Sequence, residues 1–92
     1  MRIFEDDDAG YLAWVESHQG GVVVNTFRKP DPRYLMLHRA SCGTIRGKPA
    51  RSERWTTGYF IKLCAETRAE LDRWARQSAG GELHACGLCR PN

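Results

Sequence analysis

Two short clusters in this chain carry residue types that do chemistry. His38 and Cys42 frame the stretch His38-Arg39-Ala40-Ser41-Cys42, and Cys86 and Cys89 frame Cys86-Gly87-Leu88-Cys89. One imidazole and three thiols in two close pairs are what a tetrahedral zinc ion takes, each pair clasping from its own turn. A C-x-x-C lets two sulfurs converge from one tight turn, and Gly87 gives that turn conformational freedom. Four protein ligands leave no open position for a water, so such a zinc is structural. Cys64 in place of His38 would give a four-cysteine site. Its position between Leu63 and Ala65 reads instead as a buried thiol. His84, beside the second pair, reads as a surface or supporting histidine.

Disulfides are the other use of four cysteines. Met1-Arg2-Ile3-Phe4 runs straight into Glu5, Asp6, Asp7 and Asp8, which is not a secretory signal. The expected compartment is therefore cytoplasmic, where thiols stay reduced and paired cysteines serve metal or redox chemistry. A thioredoxin-like C-x-x-C opens a helix, whereas Pro91 follows this one. No apolar run is long enough to span a membrane. Ninety-two residues suggest one domain, 1–92, whose small core gains from a metal staple.

The net charge of +3 is unevenly spread. Residues 1–27 carry one basic and five acidic groups, whereas residues 28–54 carry eight basic and two acidic. Such a concentration beside a zinc pair points to a polyanion partner, most simply nucleic acid. Arg39, Arg46, Lys48, Arg51 and Arg54 are the candidate phosphate contacts. Trp55, and less directly Tyr34 and Asn25, are placed to stack on or read a base. The plainer alternative is that these are solvated surface charges and that Trp55 is core.

The elements that must position the two pairs follow from periodicity. Asp8 caps a helix over 9–19, with Tyr11, Trp14, Val15 and His18 on one face, and Gly20-Gly21 stops it. Arg2-Ile3-Phe4 has the makings of a short strand. Residues 22–27 form a strand rich in β-branched residues, and Lys29-Pro30-Asp31-Pro32 turns the chain. A second strand runs over 33–38 and delivers His38 at its end. Residues 43–54 read as a surface loop, and 59–65 as a third strand. Thr67-Arg68-Ala69-Glu70 is a capping box for a second helix that ends at Gly80-Gly81. The expected fold is α+β: a three-stranded, mainly antiparallel sheet with two helices, each burying a tryptophan against one sheet face.

The order His38-x-x-x-Cys42, strand, helix, glycine, Cys86-x-x-Cys89 resembles the metal-binding module of the Ada DNA-repair family, over roughly residues 34–91. The resemblance implies zinc held by His38, Cys42, Cys86 and Cys89, and DNA as the partner. In Ada itself the first residue of the x-x-x pair is a cysteine that accepts a methyl group from a DNA phosphotriester. This chain has His38 there, and an imidazole lacks the thiolate sulfur, so no enzyme activity is expected. The expected function is a zinc-stabilised DNA-binding module, a candidate reader of a modified or damaged feature. The alternatives are a zinc-thiolate alkyl acceptor working through Cys42 and a protein-interaction module.

Overall fold

The computed structural model describes residues 1–46 and 54–91. Strand β1 (Arg2–Phe4) is followed by helix α1 (Asp8–Ser17), strands β2 (Val22–Phe27) and β3 (Met36–Arg39), a 3-10 turn (Gly43–Ile45), and strand β4 (Phe60–Ala65). Helix α2 (Arg68–Trp74) runs on into a π turn (Ala75–Ala79), and β5 (His84–Ala85) closes the order.

The expected three strands are β2, β3 and β4, and β2 pairs antiparallel with both of the others. The sheet is nevertheless five-stranded and mixed, in the order β1-β4-β2-β3-β5. β1 joins β4 antiparallel, and β5 joins β3 in parallel. Both added strands are edges of two or three residues: β1 is the short strand suggested at Arg2-Ile3-Phe4, and β5 is too short to show an alternation.

The helices do not share a face. Val22, Val24, Leu37, Ile61 and Leu63 pack with Leu71 and Ala75 of the α2 segment. Val23 and Cys64 pack with Tyr11, Trp14 and Val15 of α1 on the other side. Three valines in succession at 22–24 suit a strand covered on both faces. The face of α1 is the expected one, since Tyr11, Trp14 and Val15 are buried and His18 is half-buried, stacked on Trp14 at 4.2 Å.

The start of α1 differs from expectation by one residue, with consequences. Asp7 is the N-cap, its carboxylate accepting from the Gly10 N–H at 2.9 Å. Asp8 faces the other way and accepts from the Thr56 N–H and hydroxyl, both at 2.6 Å, and from the Trp55 N–H at 3.3 Å. Burial raises the Asp8 carboxyl, but these donors outweigh it and hold the pKa below its ordinary value. At the other end, Gly21 lets the chain pass between Trp14 and β4: a Cβ there would meet the Trp14 ring at 2.7 Å and the Ala65 carbonyl at 2.9 Å. The α2 segment ends at Gly80 in the left-handed conformation, φ 69°.

Candidate metal centre

β3 sets the first ligand. Its pleat turns Leu37 toward α2 and His38 toward the α1 side, where the imidazole is buried. Ala40 and Cys42 then follow the strand end into the same cluster, and the Cys42 N–H bonds to the Arg39 carbonyl. The parallel edge strand sets the second pair. The His84 N–H donates to the Leu35 carbonyl and the Cys86 N–H to the Leu37 carbonyl, each at 2.8 Å. Cys86 is thereby docked beside His38, and the 3.0 Å bond from the Arg90 N–H to the Cys86 carbonyl folds the turn that returns Cys89. The left-handed residue of this knuckle is Arg90, φ 47°, and not Gly87.

The ligand atoms of His38, Cys42, Cys86 and Cys89 all lie within 4.8 Å of one another. Three of the four residues are buried, and Cys89 is half-buried. The donor set fits a metal ion on a further observation: His38 Nδ1 is buried without a hydrogen-bond partner. A buried nitrogen left unpaired is costly unless something fills that role, and a coordinated cation does. Burial and the Lys62 charge pull His38 down to about 4, so its imidazole is neutral at pH 7, the form that ligates.

The thiols carry the same message. Burial would raise Cys86, yet the Cys89 and Leu88 N–H groups and the neighbouring thiols hold it below its ordinary value. Burial pushes Cys89 up to about 11, the Arg39 N–H opposing and Cys42 and Cys86 adding to the rise. Adjacent thiols cannot all ionise together without a cation between them. Around them stand ready donors: Arg39 N–H to Cys89 Sγ at 3.3 Å, Leu88 N–H to Cys86 Sγ at 3.4 Å, and Thr44 Oγ1 3.0 Å from Cys42 Sγ. Such outer contacts fix ligand orientation and offset thiolate charge. The two rival ligands lie apart. Cys64 is fully buried in the core, its thiol pushed up to about 12, and His84 is exposed on β5.

The basic residues of the sequence are placed very differently from one another. Arg39 clamps the knuckle, its Nε donating to the Cys89 carbonyl at 2.7 Å and its Nη2 to the Arg90 carbonyl at 2.9 Å. Arg46 pairs with Glu16 and donates to Gln19 Oε1 at 2.7 Å, fastening the 3-10 turn to α1. Arg54 is exposed and lines a cleft. Lys48 and Arg51 lie outside the described residues. Trp55, a candidate contact whose plainer alternative is a core position, takes the core position: it is 9% exposed and packs beside Tyr11, ring centroids 6.3 Å apart. Asp8 accepts from the backbone N–H groups of Trp55 and Thr56 and from the Thr57 hydroxyl, which fixes the turn that carries that ring.

Periodicity passed over two further groups. Lys62 is 4% exposed on the α1 side, its Nζ donating to Asn25 Oδ1 at 2.7 Å and the Trp55 carbonyl at 2.6 Å. Asn25 in turn donates to the Tyr34 hydroxyl at 3.2 Å, so its amide is engaged internally. A lysine alternating with Phe60 and Cys64 on one strand face was the available signal. Thr44, two residues after Cys42, had none beyond its proximity. No family model, curated protein or solved structure matches this chain. Among the described residues no helix is long and apolar enough to cross a membrane.

Proposed function

We propose that the chain is a zinc-stapled nucleic-acid-binding module in which the metal holds the fold and performs no chemistry. The observation that carries the reading is the buried His38, Cys42, Cys86 and Cys89 set, with donor atoms within 4.8 Å and an orphaned imidazole nitrogen. Three soft thiolates and one imidazole favour zinc over magnesium or calcium. With all four positions taken by protein, zinc would act as a cross-link between β3 and the C-terminal knuckle.

Nucleic acid is supported by the basic excess of residues 28–54 and by the Ada-like order of ligands and elements. Arg39 and Arg46 are engaged in holding the centre and its flank; the exposed Lys29 and Arg54, with Lys48 and Arg51 of the 47–53 segment, are the candidate phosphate contacts. The zinc-loaded chain, titrated with labelled DNA over a salt series, should bind and weaken as salt rises. Absence of binding to any nucleic acid at low salt would overturn the reading in favour of a protein-interaction module. Because His38 offers no nucleophilic sulfur, incubation with alkylated DNA should add no methyl group to any cysteine, as read by mass spectrometry.

A further inference from the structure

At the end of the sheet remote from the centre, the α1-side face is aromatic. Phe27 stacks on Phe60 with centroids 5.2 Å apart and planes 22° apart, and Tyr34 flanks both at 5.5 and 5.8 Å. Phe27 and Phe60 form part of a cleft of about 850 Å³, whose other walls include Tyr59, Arg28, Lys29 and Arg54. Phe27 is 40% exposed and Tyr59 83% exposed, so two aromatic rings at one cleft face solvent, and clustered exposed apolar side chains mark interaction sites.

The cleft is built rather than incidental. Arg28 donates through Nε to the Gly58 carbonyl at 2.7 Å and through Nη2 to the Thr56 carbonyl at 3.3 Å. The Arg28 N–H also donates to the Tyr59 carbonyl at 3.1 Å, so β2 fixes the wall that carries Tyr59. Glu5 and Asp6 pair with the remaining Arg28 donors. Lys29 stands on the rim with no partner among the described residues, and Arg54 adds a second cation.

We propose that this cleft takes an unpaired base of a single-stranded nucleic acid, stacked on Tyr59 beside Phe27 and Phe60, with flanking phosphates at Lys29 and Arg54. The inference rests on the nucleic-acid reading above and assigns its site and strand state. A base within a duplex has both faces covered by its neighbours and cannot enter an aromatic cleft, whereas an unpaired base presents a free face. The volume lies within the range of small-ligand sites and accommodates one nucleotide. The charge balance agrees. Among the described residues, the carboxylates of Glu5 and Asp6 beside Arg28 interrupt the basic surface, which there does not form the broad stripe that duplex phosphates require.

Fluorescence anisotropy of the full zinc-loaded chain with a labelled oligothymidylate, the matched duplex and free thymidylate provides the test. The single strand should bind more tightly than the other two. With the phosphate contacts of Lys29 and Arg54 alone, log affinity should fall with log salt at a slope of about −1.4, and each further contact from Lys48 or Arg51 should steepen it by about 0.7. Tyr59→Ala should weaken strand binding roughly 5- to 150-fold, the range for one lost base stack, and Tyr59→Phe should restore it. Tyr59 is exposed, so zinc content and Tm should not change in either variant. Strand binding unaffected by Tyr59→Ala, or a duplex or free nucleotide bound as tightly as the strand, overturns this inference alone. Absence of binding to every nucleic acid overturns it together with the proposed function.

Discussion

The two faces of the sheet are built on different principles. The α2 face is aliphatic: Val22, Val24, Leu35, Leu37, Ile61, Leu63 and Leu71 interlock with no polar partner required. The α1 face holds a buried histidine, a buried lysine, four thiols and most of the buried aromatics. One face gains stability from apolar area removed from water, in proportion to what is buried. The other gains it from specific partners, each of which must be present. Local rules are broken where a protein does its work, and every candidate functional group here lies on the second face or at its edge.

The largest effect separating the faces should come from the metal. Structural zinc contributes about 10–16 kcal/mol in small zinc-finger peptides, as much as the whole stability of a typical domain. Chelation should therefore abolish cooperative unfolding monitored by near-UV circular dichroism. An unchanged transition in chelator would show that the α1 face stands without metal. On the α2 face, Leu63→Ala should cost about 2–5 kcal/mol while leaving the zinc content at one per chain. Denaturant unfolding with elemental analysis checks both halves of that statement.

Lys62 gives the next effect and its sign is opposite to that of a surface lysine. Burial pulls the amine down to about 8, with Asp8 and Cys64 opposing. The unfolded lysine titrates near 10.5, so between these values the unfolded chain binds the extra proton. Stability should therefore rise with pH across that window, by roughly 3 kcal/mol at most, and the penalty of the buried charge is fully present below it. Lys62→Met should flatten the rise; an identical pH dependence in that variant would contradict the assignment. Smaller again is Asp8→Ala, which releases the 55–57 turn at a cost of about 1–3 kcal/mol and exposes Trp55. A shift in tryptophan emission reports it.

The sequence carried much of the scaffold and all four members of the His38, Cys42, Cys86 and Cys89 cluster. β2 matched to the residue because Val22-Val23-Val24 allows no other element. β3 began later than expected because Asp31 accepts the Arg33 N–H at 2.8 Å and prolongs the proline turn. β5 was invisible in two residues, yet its parallel pairing is what brings Cys86 to His38. The basic cluster was legible as charge but not as contact. Arg28 finds Glu5 and Asp6, and Arg46 finds Glu16, across more than twenty residues of chain, and no local pattern encodes such partners. The cleft was missed for a similar reason: Phe27 and Phe60 meet only through the β2–β4 register.

The central claim is that His38, Cys42, Cys86 and Cys89 hold one zinc ion. Native mass spectrometry of the parent chain, Cys86→Ser and Cys64→Ser tests it most directly. The account predicts one zinc in the parent and in Cys64→Ser, and none in Cys86→Ser. Full zinc retention in Cys86→Ser, or its loss in a folded Cys64→Ser, would contradict it.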